Sequence, residues 1–157
     1  METITVNITS EKGCQNLAER LLAKLKGTKG VTVIIGSDSR PVTERIKTLA
    51  DALAATGKTM PDFSALPEEM QGKYRALFAI EVITAALNEG WQPDWNNTAE
   101  YKYYPYFKVS SGFVFDYADC LYSYAGGGNG ARLCFKTAAL AEYAGRQFTE
   151  LYKEFMM

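Results

Sequence analysis

Hydrophobic and polar positions alternate at the start of the chain. Ile4, Val6 and Ile8 are separated by polar residues, the period-two pattern of a half-buried strand. After Ser10 the period lengthens. Leu17, Leu21, Leu22 and Leu25 share one face of a helix expected from Glu11 to Lys26, with Ser10 as its cap and Gly27 and Gly30 bracketing its end. Val31 to Ile35 is a continuous β-prone run. Strand, helix and strand in succession predict a small right-handed crossover unit. A second helix is expected from Arg40 to Ala55, with Ser39 as cap, Pro41 in the first turn, and Val42, Ile46, Leu49 and Leu53 as its stripe. Thr56, Gly57 and Lys58 end it, and Met60 to Pro67 is a connector with two prolines.

The third predicted helix runs from Glu68 to Glu89, with Met70, Tyr74, Leu77, Phe78 and Ile83 or Val82 pointing inward and Gly90 as its C′ residue. Beyond Leu77 it is apolar around much of its circumference, so it is expected to be central. The pattern then returns to period two. Tyr101, Tyr103, Phe107 and Val109 fall on one face of a strand, and Lys102, Tyr104, Tyr106 and Lys108 on the other. Pro105 inside it predicts an edge or a bulge. Phe113, Phe115 and Tyr117 line a second strand, and Arg132 to Lys136 form a last one, with Leu133 and Phe135 inward. Thr137 caps a terminal helix with the stripe Leu140, Ala144, Phe148, Leu151 and Phe155. The expected class is α+β: an antiparallel sheet from the aromatic segment, packed against the third and terminal helices. The 157 residues read as one domain, with residues 1–36 extending the sheet or forming a smaller lobe.

Composition narrows the chemistry. Apolar residues at 47% and charged residues at 22% are ordinary for a globular chain. No apolar run has the roughly 18 residues of a membrane helix, and the N-terminus has neither the basic start nor the apolar core of a signal peptide. Cys14, Cys120 and Cys134 are odd in number and widely spaced, which fits free thiols in a reducing cytoplasm and not a disulfide framework or zinc site. Histidine is absent, which removes Ser-His-Asp and Cys-His catalysis and histidine-ligated metals. No catalytic residue, metal or cofactor is therefore expected.

Thirteen of the twenty aromatic residues lie between Trp91 and Phe135. Core or interface packing accounts for most of them. The rest, Trp95, Tyr104 and Tyr106 with Lys102, Lys108, Arg132 and Lys136, form a candidate surface for nucleic acid, a nucleotide, a protein partner or a second copy. Three basic residues against four acidic ones in this segment disfavour nucleic acid or a nucleotide. Ser37, Ser39 and Arg40 follow a β-run and precede a helix, a candidate anion site beside an ordinary capped loop. The glycine-rich stretch 126–130 leads into a strand and lacks a following Lys-Ser/Thr, so it reads as a hairpin turn. Asp94, Asn96, Asn97 and Glu100 carry oxygens suited to calcium, but not the spacing of a calcium loop, and a solvated turn is expected. Glu81, among apolar neighbours, is expected to be partly buried and paired.

Five blocks carry a resemblance: Arg40 to Thr48 (RPVTERIKT), Ala85 to Pro93 (AALNEGWQP), Glu100 to Phe107 (EYKYYPYF), Ala131 to Lys136 (ARLCFK) and Leu140 to Phe148 (LAEYAGRQF). Over most of residues 40–157 the chain resembles a family of small uncharacterised proteins of gut anaerobes and their phages and prophages. Residues 1–35 match that pattern less clearly. The family has no assigned activity, so the resemblance implies no catalytic residues. It implies a context: an accessory protein of a mobile element in the host cytoplasm, or a virion component. In that pattern the stretch before the last strand varies in length, and the glycine turn resembles its short version. A non-enzymatic binding protein is the favoured reading. A virion or assembly component is the alternative, and a small enzyme without histidine chemistry the second.

Overall fold

The computed structural model describes residues 4–6, 24, 33–35, 38, 40–110, 112–122 and 133–157. The chain divides into two compact units, Met1–Arg40 and Pro41–Met157. In the first, β1 (Ile4–Val6) pairs in parallel with β2 (Val33–Ile35), with Ile4 opposite Val33 and Val6 opposite Ile35. Parallel neighbours require a long crossover. Lys24, inside the expected crossover helix, is helical. The other residues of that helix, with Ile8, Ser10 and Cys14, lie outside the described residues.

The second unit is α+β, with a two-stranded antiparallel sheet packed against helices. The expected helix over residues 40–55 is two helices, α1 (Val42–Arg45) and α2 (Leu49–Thr56). Ile46 leaves helical geometry at φ −111° and ψ 87°. Thr48 then caps α2 through a reciprocal box: its hydroxyl accepts from the Asp51 N–H, and the Asp51 carboxylate accepts from the Thr48 N–H at 2.8 Å. The carbonyls released by the break are taken up elsewhere: Tyr143 Oη donates to Ile46 O at 2.7 Å, and Gln147 Nε2 to Lys47 O at 2.9 Å. Pro41 stands at the N-cap of α1, one place before the first turn.

Helix α3 (Glu68–Asn88) follows the expected bounds closely, but its left-handed C-cap is Glu89, at φ 50°, with Gly90 also at positive φ. Its second half is central, with Ala79, Ile80, Val82, Ile83 and Leu87 all buried. Met70 and Tyr74, expected inward, are exposed, because the first turns of α3 present Gly72 and not these two residues to α5. Leu77 and Phe78 are half-buried. Among the described residues no helix is long and apolar enough to cross a membrane.

Strands β3 (Lys102–Lys108) and β4 (Val114–Leu121) are antiparallel, with a register shift at the Tyr106–Phe107 step. Tyr106 faces Tyr117 while Phe107 faces Phe115, so Asp116 is the extra residue of a bulge. That residue reverses the side-chain alternation of β4. Phe113 and Phe115 turn to the core, and Tyr117, expected beside them, points to the other face and is exposed. Among the described residues the third expected strand is a single bridge, in which Tyr103 and Phe135 exchange backbone hydrogen bonds of 3.0 and 2.7 Å. Residues 103 and 105 direct their nitrogens to the same edge of β3. Pro105, which has no N–H, is thus accommodated beyond the end of this bridge.

The terminal helix is also two helices, α4 (Ala138–Gln147) and α5 (Thr149–Met156), broken at Phe148. Helix α4 lies on β3 and β4, and α5 packs on α3, so the sheet rests on the first half of the terminal segment. Gly145 makes the close approach. A Cβ there would stand 2.3 Å from the Phe115 ring and 2.8 Å from Pro105. A straight helix does not follow both surfaces; the break at Phe148, itself buried, redirects the chain.

Candidate functional site

Lys102 begins β3 on the same face as Tyr104 and Tyr106, yet its side chain is wholly buried. Its ammonium donates to the carbonyls of Asp94, Asn97 and Glu100 at 2.6, 3.1 and 3.0 Å. It stands 3.1 Å from the Glu100 carboxylate and 5.5 Å from the centroid of the Trp95 ring. Three carbonyls match the three donors of an ammonium. The loop between α3 and β3, read from sequence as a solvated turn with calcium-like oxygens, is therefore organised around an internal cation. Glu100 closes it by accepting from the Asp94 N–H at 2.9 Å. That hydrogen bond lowers the Glu100 carboxyl below its ordinary range, with Lys102 and the Trp91 indole adding to it.

The far end of α3 is held by Asn88. Its Nδ2 donates to Cys134 O at 2.8 Å and its Oδ1 accepts from Lys136 N at 3.0 Å, so a side-chain amide stands in for a neighbouring strand. Glu89 pairs with Lys136 at 3.1 Å and with Arg45. Burial pushes the Cys134 thiol up to about 11. Neither Cys120 nor Cys134 is in a disulfide.

Two surfaces follow. The first is the outer face of β3 and β4, where cross-strand pairs run Lys108 with Val114, Tyr106 with Tyr117, Tyr104 with Asp119, and Lys102 with Leu121. Tyr106 and Tyr117 stack at 5.0 Å between centroids and are 47% and 46% exposed. Tyr104 is half-buried and its hydroxyl donates to Asp119 at 3.3 Å. Burial, then Asp119, raises the phenols of Tyr104 and Tyr117 above their ordinary value.

The second surface is a cavity of about 430 Å³ between α3 and the loop that follows it, lined among others by Lys58, Glu81, Thr84, Asn88, Trp91 and Trp95. Of the residues singled out from sequence, the structure brings Trp95, which lines the cavity, against the ammonium of Lys102, and sets Tyr104, Tyr106 and Lys108 together on the outer face. Lys136 is tied to Glu89, and Arg40 pairs with Asp38 at 2.7 Å. Arg132, Ser37 and Ser39 lie outside the described residues. Trp91, Thr84 and Asn88 had no signal of their own in the sequence. Glu81, Thr84 and Asn88 share one face of α3, but that this face meets Trp91 and Trp95 appears only once the loop after α3 is folded. Among the described residues no three His, Cys, Asp or Glu side chains gather as a metal site. Compared with protein-family models, curated proteins and solved structures, the chain finds no match.

Proposed function

We propose that the protein is a non-enzymatic accessory binding protein that acts through the outer face of β3 and β4. The observation that carries this reading is the exposed Tyr106–Tyr117 stack beside Val114, itself 48% exposed. Tyrosine supplies a large contact area with a polar tip, which suits a surface that is wet when free and buried when occupied. The charges run in order along the ribbon: Lys108 beyond the stack on one side, Asp119 on the other. A two-fold axis through the stack sets Lys108 of one copy against Asp119 of the other, a self-complementary arrangement. A second copy of this chain is therefore the partner that the face fits best. The resemblance to phage and prophage proteins supports an accessory or assembly role in a mobile element.

Light scattering over a concentration series tests the reading. The wild type is expected to dimerise, and the Tyr106→Ser/Tyr117→Ser double variant to stay monomeric with a melting temperature close to wild type. A wild type that is monomeric at every concentration rejects it. Salt-sensitive binding of single-stranded DNA that the double variant loses would reassign the face to nucleic acid.

A further inference from the structure

The cavity beside α3 is independent of the tyrosine face and contains a polar atom with no internal partner. Thr84 is 1% exposed, and its Oγ1 makes no hydrogen bond. A helical threonine ordinarily satisfies its hydroxyl on the preceding turn. Thr56 does so on Ala52 O at 2.8 Å, and Thr149 on Gly145 O at 2.6 Å. Thr84 does not, and it lines the cavity. A buried hydroxyl left without a partner carries a desolvation cost that an occupant able to hydrogen-bond would remove.

The rest of the wall defines the occupant. Trp91 and Trp95 supply flat apolar surface, and the loop holding them is fixed around the Lys102 ammonium and Glu100, so the wall exists before a ligand arrives. Polar groups reach the cavity from separate segments: Lys58 from the turn after α2, Glu81 and Thr84 from α3, and Gln92 from the loop. One acid and one base balance, which favours an uncharged occupant. Hydrogen-bonding groups from several segments suit a ring with hydroxyls all around its rim. A flat base carries such groups in one plane only. About 430 Å³ lies within the usual range for small-molecule pockets.

We infer that this cavity is a binding site for a neutral hydroxylated ring, a monosaccharide or short saccharide, with its C–H face against the indoles and a hydroxyl on Thr84 Oγ1.

Both tryptophans of the chain line the cavity, so the intrinsic fluorescence of the full chain reports on this site. The protein is titrated with glucose, galactose, N-acetylglucosamine and maltose, with adenosine, uridine and choline as controls. At least one sugar is expected to shift the emission saturably, and the controls are not. Thr84→Val should keep or raise the melting temperature, because it removes an unsatisfied buried hydroxyl, and should weaken sugar binding by about fivefold or more. Thr84→Ser should restore binding. The inference is overturned if no sugar gives a saturable change, if only a nucleoside or choline does, or if Thr84→Val binds as well as wild type. A fall in melting temperature for Thr84→Val also overturns it, since the hydroxyl would then be structural. The Tyr106→Ser/Tyr117→Ser variant should bind sugar as wild type does, so this site and the dimer face fail separately.

Discussion

Lys102 shows how far a single side chain departs from its place in a pattern. By alternation it belongs with two exposed tyrosines. In the fold, the loop from Asp94 to Glu100 wraps its ammonium, and the side chain has no exposed surface. Burying a charge is costly unless it is paired and hydrogen-bonded, and here both conditions are met. Lys102→Met keeps much of the stem but leaves three carbonyls without their donor. It should cost about 1.5–3 kcal/mol, the range for hydrogen bonds made by a charged group. Chemical denaturation measures this, and tryptophan emission should move to the red as Trp95 loosens. An unchanged midpoint would mean that the loop does not depend on the ammonium. Cys134 is the second case at this scale. With its thiol held near 11, it carries almost no thiolate at neutral pH. Its reaction with a disulfide reagent in the native state should be far slower than that of a small free thiol, becoming normal in denaturant. A fast native reaction would reopen catalysis.

Elements in this chain are shorter than their apolar stripes. Val42, Ile46, Leu49 and Leu53 keep helical spacing across the break at Ile46, and all contribute to the core. Periodicity alone therefore ran two helices together. The local signal was present, since Thr48 and Asp51 have the spacing of a capping box. Thr48→Ala removes the cap and should cost about 1 kcal/mol. Thr137, whose side chain accepts from the Leu140 N–H at 3.3 Å, should cost about the same. Denaturation midpoints of the two variants measure both caps, and a midpoint that does not move places that helix start elsewhere. The bulge falls at the Tyr106–Phe107 step, next to the Pro105 that predicts an edge or a bulge, but its extra residue, Asp116, is in the partner strand, where nothing marks it. Asp116 is not a glycine, and the strand reads as regular until its partner sets the register.

At the scale of the whole unit, α5 closes the core against α3. Phe148 and Tyr152 are 7% and 5% exposed, with Leu151 and Phe155 packed beside them. Burying such a side chain contributes about 1.5–3 kcal/mol, so losing several exceeds the margin of an ordinary domain. Truncation after Gly145 should leave the remainder of the second unit unfolded or aggregated. Circular dichroism and melting would show this, and a soluble truncation with the wild-type melting temperature would mean that α5 is an appendage.

The α+β class, the long helix α3, the cap at Thr137 and the inward positions of Phe107 and Phe135 follow from local pattern. Each depends on side-chain period, on a cap or on β-propensity, all of which act over a few residues. The cavity and the break at Phe148 depend on contacts across tens of residues, while the burial of Lys102 depends on closure of the loop before it and the outward turn of Tyr117 on its pairing with β3. Asn88 joins α3 to the segment at Cys134, and Tyr143 takes up the carbonyl of Ile46. No period along the chain encodes which carbonyl will meet which donor. That pairing was decided when the loop, the sheet and α4 closed on one another, because buried polar groups must find partners wherever packing brings them.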